Sequence, residues 1–286
     1  MRFGISVPPH GDYADARLLA ELAREAEAVG WDGFFVWDHL NDVEGPTVDP
    51  YIALAAIAVT TGRIRFGPLV TPIPRRRPWK LARETVSLDH LSGGRLILGV
   101  GLGYPRVQEF ERFGEEGDER IRAQKLDEGL DILTGLWSGR PFNYCGQHYR
   151  LDETVFLPTP VQSPRIPIWV GGYWPNRAPF RRAARWDGVF PGRLTLERRQ
   201  AWTPRLWALE DVEEIIAYVR QHRTGDVPFD VVMGGYTSGV ERAADAALVA
   251  PYDAAGVTWW IENLHSYRGP FEAMRARLRA GPPSVE

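Results

Sequence analysis

An aspartate and a histidine stand side by side at positions 38 and 39, directly behind the apolar run Gly33-Phe34-Phe35-Val36-Trp37. Imidazole exchanges a proton near neutral pH, and a neighbouring carboxylate can orient such a ring. If the run is a strand of a parallel α/β protein, Asp38 and His39 sit at its carboxyl end, where barrel enzymes carry their chemistry. The same residues also suit an aspartate that caps the next turn and a histidine packed as a polar neighbour, so position alone leaves both roles open.

A second group of residues suits an anionic ligand. Gly171 and Gly172 follow the apolar run 166–170 and precede Pro175-Asn176, which opens a helix. A glycine pair at a helix N-terminus exposes backbone N–H groups, and the helix dipole favours negative charge there. An ordinary tight turn has the same sequence. Arg193, after the run 187–190 and Pro191-Gly192, offers a guanidinium for the same phosphate or is a plain surface arginine. Arg75, Arg76 and Arg77 form a basic run that reads as a solvated loop or as a collar for an anion.

Two further strand ends are unusual. One runs into Pro68-Leu69-Val70-Thr71-Pro72 and the other into Gly101-Leu102-Gly103-Tyr104. Glycine lets a ligand approach the backbone closely, so Leu69, Val70, Thr71, Gly101, Gly103 and Tyr104 make a candidate floor for a planar cofactor. Glu262, at the end of the last apolar run, either orients a substrate or caps the turn at Asn263.

Positioning these residues requires a regular scaffold, and the chain supplies one. Continuous apolar runs at 2–7, 33–37, 64–70, 95–100, 166–170, 187–190, 229–233 and 257–261 read as strands buried on both faces. Segments of helical periodicity follow them, such as Leu81, Ala82, Thr85, Val86 and Leu88 in a helix that starts at Pro78 and stops at Ser92-Gly93-Gly94. Asp49-Pro50 is a helix start, and Ser238 with Glu241 reads as a capping box. Eight strands, each followed by a helix, predict a single (β/α)8 barrel across residues 1–286. Residues 140–167 interrupt the rhythm as a hairpin-like insertion, and the segment at 194–209 is short. The tail at 281–286 is expected to be disordered.

Composition narrows the function classes. The 286 residues carry a formal net charge of -3, which gives no sign of a polyanionic partner such as nucleic acid. No stretch approaches the ~20 apolar residues of a membrane span, so a cytoplasmic protein is expected. Cys145 is the only cysteine, which excludes an intrachain disulfide and a multi-cysteine metal site. His10, His39 and His265 show no recognisable metal-ligand spacing, so no metal is expected and a metal-dependent barrel hydrolase is disfavoured.

The order Val70-Thr71-Pro72, a helix, then Ser92-Gly93-Gly94-Arg95 through Gly103-Tyr104 resembles the bacterial luciferase-like monooxygenase superfamily. The likeness continues in Asp38-His39, Gly146-Gln147-His148-Tyr149, Pro164 through Gly172, and Ala184-Arg185-Trp186-Asp187-Gly188. The resemblance implies a TIM barrel that uses FMN or the deazaflavin coenzyme F420 for hydride transfer or monooxygenation of a small organic substrate, and a homodimer. In F420-dependent members an Asp-His at this place lies against the deazaflavin ring, which implies a proton-handling role for His39. A bulge at the end of the third strand, often with a non-prolyl cis peptide, is implied near Pro68-Leu69. Asp38-His39 and the Thr71-Pro72 loop lean towards F420. Tyr104 leans away, because the F420-dependent sugar-phosphate dehydrogenases place a glutamate general acid there, and a phenol is a poorer acid at neutral pH. A non-catalytic flavin-binding barrel is the alternative.

Overall fold

The computed structural model of the protein describes residues 1–41, 45–193, 206–224 and 227–283. Its strands are β1 (Arg2–Val7), β2 (Gly33–Val36), β3 (Arg65–Pro68), β4 (Thr71–Pro72), β5 (Leu98–Gly101), β6 (Phe142–Cys145), β7 (Arg150–Thr154), β8 (Ile168–Trp174), β9 (Gly188–Arg193), β10 (Asp230–Gly235) and β11 (Trp259–Asn263). The helices are α1 (Ala16–Ala28), α2 (Pro50–Thr60), α3 (Pro78–Ser92), α4 (Arg106–Glu109), α5 (Glu119–Trp137), α6 (Arg177–Ala183), α7 (Leu209–His222), α8 (Arg242–Ala255) and α9 (Phe271–Arg279).

Nine strands form one parallel sheet in the order β3-β2-β1-β11-β10-β9-β8-β5-β4. β3 and β4 are two halves of the third barrel strand, broken by Leu69 and Val70, so the two ends of that order meet and the sheet closes as the predicted barrel. A bridge from Phe66 to Leu96 joins the lower half to the next strand as well. β6 and β7 pair antiparallel as the hairpin expected within 140–167.

The helices begin where the sequence supplies caps. Asp49 accepts from the Tyr51 and Ile52 amides ahead of Pro50, and Asp118 does the same for Arg120 and Ile121. The expected capping box at Ser238 forms in half: Ser238 Oγ accepts from the Glu241 amide at 3.3 Å, but Asp245, not Glu241, accepts from the Ser238 amide. Asp245 also takes the Gly239 amide, and α8 starts after Glu241. The tail differs from expectation in part: Arg277 Nη1 donates to the Gly281 carbonyl at 2.8 Å and Pro283 is buried, while residues 284–286 lie outside the described residues. Residues 194–205, and with them most of the segment read as short, also lie outside.

The barrel interior is filled by Phe35, Leu69, Ile97, Trp169, Val232, Trp259 and Ile261, with Val70 and Phe190 above them. The rings of Phe35, Trp169 and Trp259 stand 5.2–6.0 Å apart and plug the middle of the barrel. Among the described residues no helix is long and apolar enough to cross a membrane.

Candidate active site

Side chains alternate in and out along a strand. Beyond the plug, the inward positions are therefore Trp37, Gly101, Gly171, Gly192, Gly234 and Asn263, with Ser6 on β1. Most of these positions bear no side chain, which leaves a cup above the plug at the carboxyl end. The glycines also let neighbours lie flat on the wall: a Cβ on Gly101 would come within 2.8 Å of Val70 Cγ2. On Gly192 it would meet the Tyr173 ring at 2.8 Å. Val70, half-buried, is the floor of the cup, and the Leu69-Val70 peptide is cis. The expected cis bond thus exists one peptide later than Pro68-Leu69.

Thr71 is fully buried. Its hydroxyl donates to Asp38 Oδ2 at 2.9 Å and lies 2.9 Å from the Tyr51 hydroxyl. Asp38 is likewise withdrawn from the cup. Its carboxylate takes Arg75 Nη2 and Arg76 Nη2, both at 2.8 Å, and its side chain has no exposed surface. The arginine run is therefore not a solvated loop in its first two members. Arg75 and Arg76 are internal counter-ions, and Arg76 also lies 4.5 Å over the Tyr51 ring. Arg77 stands by Trp79.

His39 is oriented by a different carboxylate from the adjacent one. Its Nδ1 lies 3.3 Å from Oε1 of Glu109, on α4. Glu109 also accepts from the Leu40 amide at 3.0 Å and the Asn41 amide at 3.3 Å, and it pairs with Arg75. Burial opposes the Glu109 charge, but the His39 bond, the Leu40 amide and the Arg75 guanidinium outweigh it and hold the carboxyl at about 2. An ionised carboxylate only accepts, so His39 Nδ1 is the donor and Nε2 is the nitrogen left to exchange a proton.

The wall beside His39 is aromatic. His10, Trp37 and His39 stand 6.0–6.1 Å apart, and His265 is 5.6 Å from Trp37. Trp37 Nε1 donates to Ser6 Oγ at 2.8 Å. Burial, then Arg268 and His10, push His265 down to about 4. Tyr104 is half-exposed and meets Tyr173 edge to face at 6.5 Å. The loop before it is fixed by buried Arg122, whose Nη1 donates to the Leu102 and Gly103 carbonyls. Gly103 has φ 83°, and Phe110 and Pro72 crowd its Cβ position.

The expected phosphate grip is arranged differently. Gly171 and Gly172 lie inside β8, paired to Phe190 and Pro191 of β9, and α6 begins only at Arg177. A Cβ on Gly172 would strike Pro179 Cβ at 2.1 Å, so this glycine is needed for helix packing. Arg193 is half-buried, pairs with Asp211 at 3.1 Å and lies 4.7 Å from the Trp207 ring. Glu262 neither faces the cup nor caps Asn263: it is buried against Thr237, Arg268 and Arg277. Among the described residues no three His, Cys, Asp or Glu side chains cluster closely enough to hold a metal.

Of the expected site residues, Leu69, Val70, Gly101 and Gly171 meet at the floor, His39 and Tyr104 stand on the rim, and Asp38 and Thr71 support from behind. Glu109 and Trp37 join the site beyond the residues expected from sequence. Trp37 carried a signal, as the next residue of an inward alternation, whereas Glu109 reaches His39 from 70 residues away.

Comparison with known proteins agrees with this architecture. The F420-dependent hydroxymycolic acid dehydrogenase of Mycobacterium tuberculosis is 35% identical over 173 residues, 59% of this chain and 47% of that protein. The oxygenase component of the flavin-dependent trigonelline monooxygenase of Acinetobacter baylyi is 30% identical over 164 residues, 57% of this chain. The chain spans about half the length of these relatives, 47% and 44% respectively. An F420-dependent secondary alcohol dehydrogenase, solved with an F420-acetone adduct, shares the fold at TM-score 0.77 and 14% identity, covering 99% of this chain and 98% of its own. The family model for luciferase-like monooxygenases matches residues 1–247, and the chain belongs to that family.

Proposed function

We propose that the protein is an oxidoreductase that binds F420, in preference to FMN, across the carboxyl-terminal cup and acts on a small organic substrate, with His39 as the proton carrier. The observation that supports this reading best is the pair of His39 and ionised Glu109 at the rim of a cup whose inward positions are mostly glycine.

The floor suits a flat ring. Val70 and Phe190 cap the aromatic plug with apolar surface, and Gly101 and Gly171 add none of their own. The bound coenzyme would supply hydride transfer or oxygen activation. The chain's own contribution is to orient and exclude: Glu109 fixes the His39 tautomer, Asp38 and Thr71 brace the bulge below, and Trp37 walls off water. Arg193 would hold an anionic tail by exchanging Asp211 for phosphate.

Relatives of both kinds, F420-dependent and flavin-dependent, keep FMN-based oxygenation as the second reading. Titration with F420 and FMN, each oxidised and reduced, decides between them, and turnover assays then separate an enzyme from a carrier. Tight binding of neither coenzyme would overturn the proposal. We also propose a cytoplasmic homodimer, with α2 in the interface, because Ile52 and Val59 project from it into solvent.

A further inference from the structure

At the amino-terminal end of the barrel, where β1, β3 and β11 begin, lies a cavity of about 320 Å³. The aromatic plug of Phe35, Trp169 and Trp259 separates it from the cup. Arg2, Arg65 and Trp259 line it, with Glu27 and Asp32 alongside.

The charges in this cavity are not matched to one another. Arg2 stands 5.5 Å over the Trp259 ring, and Arg65 gives one Nη1 to the neutral Gln162 side chain at 2.9 Å. Among the described residues neither guanidinium has a carboxylate within ion-pair distance. The neighbouring acids are already used by neutral donors. Glu27 takes the Gly62, Arg63 and Ile64 amides, and Asp32 Oδ2 takes the Phe3 amide at 2.8 Å. Asp230 takes Trp169 Nε1 and the Thr258 hydroxyl, and Asp89 takes the Val161 and Gln162 amides. Arg65 is pushed down first by burial and then by the positive charge of Arg2, with Asp230 and Asp89 opposing both.

Two like-charged guanidiniums on one lining repel each other. One acceptor-rich anion between them relieves that repulsion.

We propose that the amino-terminal end of the barrel is a binding site for a small oxyanion, a phosphate or a carboxylate, held by Arg2 and Arg65. It is independent of the reading of the cup. Binding to the folded state alone raises stability by mass action, without competition from a coenzyme at the opposite end.

The test follows thermal unfolding of the full chain in sodium phosphate, sodium acetate and sodium chloride at equal ionic strength, with calorimetric titration of the folded protein by phosphate and acetate. A saturable rise in midpoint with phosphate alone identifies a phosphoryl ligand, and a rise with acetate a carboxylate. Arg2 has no ion pair to lose, so Arg2→Gln should fold and bind the anion about tenfold more weakly or worse. Equal midpoints in all three salts, or an Arg2→Gln variant that binds as tightly as the parent, would overturn the proposal.

Discussion

His39 Nδ1 lies 3.3 Å from Glu109 Oε1, although 70 residues of chain separate them. The same carboxylate pairs with Arg75, and Arg75 in turn holds Asp38. The imidazole at the rim and the buried carboxylate behind the bulge therefore belong to one network of charges, two acids against two arginines with His39 at its edge. Replacing His39 by Ala should cut kcat/KM by roughly 10²–10⁴ and leave the unfolding midpoint in urea nearly unchanged. Glu109→Gln should lose a smaller part of the activity but also about 3 kcal/mol of stability, because Arg75 loses one of two buried partners. Steady-state kinetics with urea unfolding of both variants checks the split, and full activity in His39→Ala would sink the role given to this ring.

Val70 and Gly101 form the second coupled pair. Gly101→Ala puts a methyl within 2.8 Å of Val70 Cγ2 and must lift the floor or shift the strand. Overpacking of this kind costs about 1–3 kcal/mol, and here it should appear as weaker coenzyme binding. Val70→Ala combined with Gly101→Ala should recover most of the affinity. A double-mutant cycle read by coenzyme titration tests this, and additive losses would show that the two residues do not share the floor.

Gly172→Ala should behave differently, since its methyl would meet the rigid Pro179 ring at 2.1 Å. A loss of about 1–3 kcal/mol of stability is expected with or without coenzyme. Loss of coenzyme affinity at unchanged stability would instead restore Gly172 to a phosphate grip.

The contrast between these glycines explains what the sequence made legible. The strands, the closure of the barrel, the hairpin and the special ends at Leu69-Val70 and Gly101 follow from local patterns of apolar runs and glycine, which the fold obeys. Gly171-Gly172 carries the same local pattern as a phosphate-binding turn, but β8 continues through it, because strand pairing with Phe190 and Pro191 outweighs the turn preference. Arg75 and Arg76 look solvated in sequence because their partners, Asp38 and Glu109, are remote in the chain. Asp38 looks like the orienting group for His39 because it is adjacent, yet adjacent side chains point to opposite sides of an extended chain.

Helix α2 should mark the interface between two copies. It is apolar nearly all round, and Ile52 and Val59, two turns apart on one face, are 63% and 65% exposed. Sedimentation of the parent should give a dimer, and Ile52→Ser with Val59→Ser should give a monomer with unchanged secondary structure. A monomeric parent would remove α2 from consideration.

His265 makes stability depend on pH in a definable window. The ring is buried among Trp37, Tyr236 and Tyr267, with Arg268 and His10 near enough to repel its charge, and these hold it neutral down to about 4. Unfolding returns it to an ordinary value near ~6.5. The unfolded chain therefore binds the proton first as pH falls. The contribution is complete above about pH 6.5 and is lost between there and about 4, on the order of 3 kcal/mol in all. Glu109, held at about 2, adds a second descent that begins as pH falls through the ordinary carboxylate range and ends near its folded value. Urea unfolding at intervals from pH 7.5 to 4 should show the first descent in the parent and a much flatter profile in His265→Gln. Parallel profiles for the two proteins would mean that another group carries the proton.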